Sequence, residues 1–153
     1  MWKALFSLSS GAAILAGLLA VAPSAAAQAL DIGVIKTVTG GVTVVRGQNS
    51  IPATPCMIVL VKDSLVTGKD GSVGVVLKDN STVSLGPDSE ISFQDFQFSP
   101  GEGRLSWVSR FVRGTAVFLT GIIGKLSPQS VRVETPVATV GIRGTRFAIK
   151  VDE

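Results

Sequence analysis

The 153-residue sequence contains no histidine, no tyrosine and only one cysteine. Histidine is the usual general base near neutral pH and the commonest metal ligand, so its absence removes the ordinary routes to acid–base catalysis and to zinc or iron sites. The segment "GKDGS" at 68–72 lacks the spacing of a phosphate-binding loop. Asp95 and Glu102 would form a carboxylate pair only through an accident of folding. We therefore expect a protein that is not an enzyme, with no catalytic residue, no cofactor and no metal.

The single cysteine, Cys56, lies in "ATPCMIVL" beside an apolar run. Without a second cysteine no intrachain disulfide can form, even in an oxidising compartment. We expect a buried free thiol at this position, and a reactive thiol or an intermolecular bridge is the alternative.

Basic residues exceed acidic residues only slightly. Lys3 is the only basic residue before position 30, so thirteen Lys and Arg face eleven Asp and Glu in the rest of the chain. Such a small excess, spread evenly, does not predict a nucleic-acid-binding surface.

The first 29 residues differ in composition from the rest. They carry Lys3 near the start, then an uncharged apolar stretch, then Pro23 and a run of alanines. This pattern predicts a secretory signal peptide at 1–29, cleaved after Ala27 or Ala29. An uncleaved anchor helix is the alternative, because the uncharged run is long enough to span a bilayer. We expect residues 30–153 to form one exported domain, periplasmic or secreted, with no stable membrane span after cleavage.

Residues 30–153 are rich in β-branched side chains, with twenty Val, nine Ile and eleven Thr but only four Ala. Such side chains fit the pleated surface of a sheet and crowd a helix. Gly, Pro, Asn and Asp interrupt the chain every eight to twelve residues, and no segment shows a helical apolar stripe. The sequence therefore predicts an all-β domain.

An aspartate recurs at intervals of nine, at Asp70, Asp79 and Asp88, and a serine follows each within two residues. Aspartate and serine favour tight turns, and the alternating apolar runs that follow put one face of each short strand into a core. A nine-residue unit suits half a coil of a flattened solenoid or one leg of a meander. We expect stacked short strands in a β-solenoid-like or β-roll-like arrangement of twisted sheets, with these aspartates at the turns. Calcium ligation by the three aspartates is less favoured, because the Gly-rich frame of calcium-binding β-rolls is missing.

The tripeptide Arg-Gly-Thr occurs twice, in "VRGTAVFL" at 112–119 and in "IRGTRFAI" at 142–149. Glycine inside a strand pattern marks a bulge, a bend or a close approach of backbone, and threonine resumes the sheet. We predict two equivalent bends, formed by Gly114, Thr115, Gly144 and Thr145.

The arginine before each glycine is expected to project outward. Its simplest role is a solvated charge whose stem covers apolar surface. The alternative is a paired guanidinium face that accepts carboxylates or sugar acids of a cell-wall polymer, or an acidic patch on a partner. The candidate binding residues are Arg110, Arg113, Arg143, Arg146 and Trp107. Trp107 shares a strand face with Phe111, so core packing is the other interpretation of the tryptophan.

The order of "TVTGGVTVVRG", "LVTGKDGSVGVVLKDNSTVSLGPDS" and the closing "TPVATVGIRGTRF" resembles the FecR-like domain family over about residues 36–151. Members of that family usually carry a Gly-Asp pair where this chain has Lys62 before Asp63. A plainer small residue is also common where this chain has Pro55 and Cys56. These departures concern the loops.

The resemblance implies a β-solenoid-like, non-enzymatic module on the outer side of the bacterial inner membrane. In the best-known members the domain belongs to a membrane-spanning regulator whose cytoplasmic anti-sigma segment responds to an iron-siderophore receptor. Here only Met1–Lys3 precede the apolar run, so we expect no such segment. We expect a binding, sensing or scaffold module that contacts an envelope protein or a second copy through strand edges. A peptidoglycan-binding protein that uses the arginine face is one alternative, and an accessory part of an iron-siderophore signalling system is another.

Overall fold

The computed structural model describes residues 30–152, and the predicted signal peptide at 1–29 lies outside the described residues. Twelve strands and one short α-helix follow one another in the described part: β1 (Asp31–Thr39), β2 (Val42–Arg46), β3 (Asn49–Pro52), β4 (Ile58–Leu60), β5 (Ser64–Thr67), β6 (Ser72–Leu77), β7 (Thr82–Leu85), β8 (Glu90–Ser99), β9 (Arg104–Leu119), α1 (Ile122–Leu126), β10 (Val131–Glu134), β11 (Thr139–Gly141) and β12 (Arg146–Val151). The prediction of an all-β domain is confirmed. No helix in this part of the chain is long and apolar enough to cross a bilayer.

The strands form one curled sheet with the hydrogen-bonded order β3-β2-β5-β8-β9-β7-β6-β1-β4. The long strand β9 pairs with β8 and β10 through its first half and with β7 and β12 through its second half. β11 pairs with β10. Every pairing is antiparallel except that of β9 with β10, which is parallel. β9 therefore belongs to both arms of the curled sheet, one arm containing β3, β2, β5 and β8 and the other containing β7, β6, β1 and β4. The core lies between these arms.

β9 bends at Gly114, which has a φ of +92°. A Cβ at this position would collide with the Oγ and Cα atoms of Ser89, so only glycine fits. The Oγ of Ser89 accepts a hydrogen bond from the N–H of Thr115 at 2.9 Å. The bend is thus held by a side chain from the segment that enters β8.

A β-bulge next to the bend sets which side chains enter the core. Glu90 pairs with Arg113 and Ile91 with Phe111, so Val112 is an extra residue on β9. Side chains alternate along a strand, and one extra residue moves all later side chains to the opposite face. The bulge lets both halves of β9 direct their aromatic side chains into the same core.

Alternation of buried and less buried residues along most strands builds that core. Its largest fully buried side chains are Trp107, Phe93, Phe96, Phe111, Phe118, Ile32, Ile35, Leu65, Ile91 and Ile123.

The expected solenoid arrangement is not confirmed. β6 and β7 pair antiparallel as a hairpin around Asp79, closed by a 2.8 Å hydrogen bond from the N–H of Leu77 to the carbonyl of Ser81. The next turn, at 86–89, carries the chain from β7 in one arm to β8 in the other. A regular nine-residue spacing fixes where the chain turns, but the turn geometry decides whether it reverses within an arm or crosses to the other.

The expectation of a buried thiol at Cys56 is wrong. Cys56 is exposed, and its backbone is left-handed with a φ of +67°. It occupies the turn between β3 and β4, where its N–H donates to the carbonyl of Ile35 at 2.8 Å. In the neighbouring apolar run Met57 packs partly against the core, and Val59 is the first fully buried residue.

Candidate functional site

The four candidate arginines lie in different parts of the sheet. Arg110 is exposed in the first half of β9, opposite Glu134 of β10. Arg113 directly precedes the bend in β9. Arg143 is exposed in the loop between β11 and β12, and Arg146 is the exposed first residue of β12.

Arg113 is half-buried and forms an ion pair with Glu90 across the bulge, with 3.6 Å between Nε and Oε2. It borders a surface cleft of about 530 Å³ that carries charges of both signs. The charged residues lining this cleft are Lys69, Asp88, Arg113, Lys150 and Asp152. Arg113 is therefore engaged by the chain's own carboxylate.

Arg143 lines a surface depression of about 660 Å³, which is larger than the cleft beside Arg113. Pro128 and Gln129 form one wall and the 141–144 loop forms the other, and no acidic residue of the described part lines it. Arg143 makes no ion pair with any residue from 30 to 152. The guanidinium group is thus available to an anion from outside.

The loop that carries Arg143 is fixed by Thr120. The N–H of Thr120 donates to the carbonyl of Thr145 at 2.9 Å, and its hydroxyl donates to the carbonyl of Gly144 at 2.8 Å. The backbone N–H groups at 143–145 have no hydrogen-bond partner among the described residues, whereas Ile142 adjoins the β10–β11 ladder. A guanidinium and several neutral donors on one short loop suit a carboxylate.

The structure does not assemble the arginines into one face. β12 runs along the second half of β9, with Arg113 near its Val151 end and Arg143 beyond its Arg146 end. Five steps along an antiparallel strand span roughly 17 Å. Arg113 and Arg143 therefore belong to separate surfaces.

Trp107 is fully buried, which confirms the core-packing interpretation and shows that its candidacy for a binding surface is wrong. Its indole N–H donates to the hydroxyl of Ser109 at 2.8 Å, and its ring centroid lies 6.0 Å from that of Phe118. A large aromatic side chain on the inward face of β9 stabilises the fold more when it is buried than it would at the surface.

The two Arg-Gly-Thr tripeptides are not equivalent. Gly114 lies within β9 and is closely packed, whereas Gly144 lies between β11 and β12, with no described atom within 4 Å of the point that a Cβ would occupy. Gly144 has a φ of +129°, so its glycine is required by the backbone and not by packing. Thr115 belongs to β9, and Thr145 lies in the loop. Identical tripeptides therefore serve a strand bend and an exposed loop.

The three spaced aspartates occupy turns at opposite ends of the sheet. Asp70 and Asp88 lie at one end, where the N–H of Asp88 donates to the carbonyl of Gly68. Asp79 lies at the other end of β6 and is fully buried. The spacing that resembles a calcium repeat thus does not bring the three carboxylates together.

Asp79 anchors the helix α1. Its carboxylate accepts hydrogen bonds from the N–H of Ser81 at 3.0 Å, the hydroxyl of Ser81 at 2.7 Å and the N–H of Ile123 at 3.2 Å. The hydroxyl of Ser81 in turn accepts from the N–H of Gly121 at 2.8 Å. A carboxylate placed at the start of a helix satisfies backbone donors that have no helical partner.

Sequence reasoning missed the ion pair between Arg46 and Asp63. Asp63 is 1% exposed, and its two carboxylate oxygens lie 2.9 and 2.7 Å from the Nε and Nη2 atoms of Arg46. The same carboxylate accepts from the N–H of Leu60, and Arg46 also donates to the carbonyl of Ile58. The hydrogen bond to Asp63 raises the pKa of Arg46. The contribution of this ion pair to folding stability is therefore fully present below arginine's ordinary pKa and is lost only at more alkaline pH. Seventeen residues separate the two partners, and no local pattern links them.

A family model described as FecR protein matches residues 63–153, which is more than half of the chain. The chain belongs to the FecR family. The match covers β5–β12, including the bend at Gly114 and the Arg143 loop, and it confirms the resemblance seen in the sequence. No curated protein and no solved structure matches the chain. Membership of the FecR family suggests a sensing or signalling module of the cell surface.

Lys62 and Cys56, two of the loop residues expected from the sequence to be unusual for the family, lie outside the matched range and have backbone conformations that favour glycine. Lys62 has a φ of +74° and Cys56 a φ of +67°, both in the left-handed region. Residues other than glycine are conformationally destabilised there, because their Cβ atom crowds the backbone. Lys62 is nevertheless fixed, because its N–H donates to the carbonyl of Phe93 at 2.8 Å.

Proposed function

We propose that this protein is a non-catalytic, exported binding or sensing module of the bacterial cell envelope that acts through protein–protein contacts. The match to the FecR family over residues 63–153 is the observation that carries the proposal. A periplasmic or secreted location and cleavage of residues 1–29 form part of the same proposal. An accessory role in iron-siderophore type signalling is one setting in which such a module would act.

The Arg143 loop supports contact with an acidic group. It combines an exposed guanidinium with backbone donors that have no partner among the described residues, next to a pocket of about 660 Å³. Charge-assisted hydrogen bonds to a carboxylate are roughly twice as strong as neutral ones. An acidic side chain of an envelope protein would fit this loop.

A pull-down from envelope extract tests the proposal. The tagged full chain is expected to retain one reproducible partner, and Arg143→Ala is expected to reduce its recovery. Arg104→Ala is the matched control, because Arg104 is likewise an exposed arginine, at the far end of β9 and away from the Arg143 loop. Its Nε atom lies 3.5 Å from the Oε2 atom of Glu102. Failure of the unaltered chain to retain any partner would count against the proposal.

Binding to cell-wall polymer is a second candidate, favoured by the same exposed loop because peptidoglycan carries carboxylates. Sedimentation with insoluble peptidoglycan distinguishes it from the first. Loss of protein from the supernatant that depends on Arg143 but not on Arg104 supports glycan binding. A supernatant that keeps all of the protein removes this candidate and leaves protein contact as the function.

A further inference from the structure

The strand β12 is an open edge of the sheet that residues 30–152 form. It pairs with β9 on one side, and within residues 30–152 no strand pairs with its other side. Edge strands present unpaired backbone donors and acceptors and are templates for pairing with another chain. The strand that can pair with β12 is determined by the backbone N–H and C=O groups and the side chains on the open side of β12.

The hydrogen bonds around β9 identify those backbone groups. The carbonyl of Thr115 accepts from Gly86 on the β7 side, whereas the N–H of Thr120 donates to Thr145 on the β12 side. Because these bonds alternate along antiparallel strands, the even-numbered residues of β9 bond to β12. Their partners in β12 are Phe147, Ile149 and Val151. Arg146, Ala148 and Lys150 therefore direct their N–H and C=O groups to the open side.

The side chains of β12 divide in the same alternating manner. Phe147, Ile149 and Val151 face inward but are only partly buried at the margin of the core. Phe147 stacks on Phe118 with 4.7 Å between ring centroids, and no further strand of the described part covers the outer side of this row. Arg146, Ala148 and Lys150 are exposed on the other face.

We propose, building on the function above, that β12 pairs antiparallel with β12 of a second copy of this chain about a two-fold axis. In the proposed register, the residues whose N–H and C=O groups point to the open side lie opposite each other, and opposite charges are paired. Arg146 then lies opposite Asp152 of the partner's strand, and Ala148 lies opposite Lys150. On the inner face the same register places Phe147 opposite Val151 and Ile149 opposite its own copy.

Both faces of the strand fit this register. Two symmetric Arg146–Asp152 pairs form, and Arg146 has no ion pair with a described residue of its own chain. Asp152 is exposed and lies 3.0 Å from Lys150, so its second oxygen is open to a partner. A shift of two residues along the strand would place Arg146 opposite Lys150, and like charges directly opposite each other are destabilising. The apolar side chains at the margin become covered at the same time.

Sedimentation velocity of the full chain, from about 10 µM to about 1 mM, measures the monomer–dimer equilibrium in the range expected for a short strand interface. The unaltered chain is expected to dimerise with increasing concentration. Ala148→Pro removes an N–H that points to the open side and is expected to leave the protein folded and monomeric. Ala148→Ser, which keeps the N–H, is the matched control and is expected to dimerise normally.

A charge exchange tests the register itself. Arg146→Asp alone and Asp152→Arg alone each place like charges opposite each other, and each is expected to weaken dimerisation by at least about tenfold. The double variant Arg146→Asp with Asp152→Arg is expected to restore it. Within one chain these positions lie at opposite ends of β12, roughly 20 Å apart, so restoration would come only from pairing between copies. Asp152→Arg also removes the ion pair between Lys150 and Asp152 within one chain. Lys150→Ala removes only that pair and is therefore its control.

The outcomes separate this inference from the function on which it rests. A chain that stays monomeric at every concentration, or a double variant that fails to recover, overturns the β12 dimer. Recovery of an envelope partner by that same monomeric chain would leave the proposed function intact. Far-ultraviolet circular dichroism of each variant shows whether it is folded, and if Ala148→Pro is unfolded the charge exchange alone decides.

Discussion

The rings of Trp107 and Phe118 lie 6.0 Å apart although both belong to β9 and eleven residues separate them. A straight strand would place these two residues roughly 36 Å apart and on opposite faces. The bend at Gly114 and the bulge at Val112 bring both rings into one core. The curled form of the whole sheet thus depends on a few residues in the middle of its longest strand.

Gly114→Ala is expected to destabilise the protein by about 3 kcal/mol or more, because it combines an unfavourable φ with a collision against Ser89. Gly144→Ala is expected to cost about 1–3 kcal/mol, since only the backbone conformation opposes it there. Urea unfolding followed by tryptophan fluorescence measures both changes. Gly101→Ala is the control, because no described atom lies within 4 Å of that Cβ position and its φ is not positive. Equal effects of Gly114→Ala and Gly101→Ala would contradict the bend.

Asp79→Ala is expected to lower the free energy of unfolding by about 2–4 kcal/mol, because it leaves the buried donors of Ser81 and Ile123 without their acceptor. Asp70→Ala is expected to cost less than about 1 kcal/mol, since Asp70 is exposed and its side chain makes one hydrogen bond among the described residues, a 3.3 Å bond from the N–H of Gly41. Thermal unfolding of both variants gives the comparison. Addition of calcium is expected to leave the melting temperature unchanged, and a rise abolished equally by either variant would support a shared metal site instead.

Arg46→Ala is expected to destabilise the protein by about 2 kcal/mol, because the carboxylate of Asp63 would remain buried without its partner. The effect is smaller than for a fully buried pair, since the Arg46 side chain is 37% exposed. Arg46→Lys keeps the charge but loses the two-pronged hydrogen bond, so it is expected to recover only part of the loss. A double-mutant cycle with Asp63→Asn, measured by chemical denaturation, gives the coupling energy. A coupling indistinguishable from zero would show that the pair does not hold β2 to the β4–β5 turn.

Lys62→Gly is expected to be about 1 kcal/mol more stable than Lys62→Ala, because the φ of +74° favours glycine. Lys69 supplies the matched comparison, since it is exposed with a φ that is not positive. There the order reverses, and Lys69→Gly is expected to be less stable than Lys69→Ala because glycine gains more freedom in the unfolded chain. Differential scanning calorimetry of the four variants tests the two orders. The same order at both positions would refute the backbone explanation for the unusual residue before Asp63.

The candidate site was only partly predictable from local patterns. The Arg-Gly-Thr repeat drew attention to Arg143 and to the glycines, but the same tripeptide lies in a packed strand at 113–115 and in an open loop at 143–145. The repeat could not show that Arg113 is paired with Glu90 or that Trp107 is buried. These facts depend on which strands become neighbours. The pairing of Arg46 with Asp63 lacked any sequence signal for the same reason.

The sequence by itself determined the properties that depend on near neighbours. The wealth of Val, Ile and Thr made the domain a sheet, the spaced aspartates located turns, and the alternation of apolar residues chose which side chains face inward. Only the tertiary structure decided that the turn at Asp79 closes a hairpin while the turn at Asp88 crosses between arms, and that β9 serves both arms. Strand pairing joins residues that are distant along the chain, and a single bulge reverses every later side chain, so local preferences could not settle either outcome.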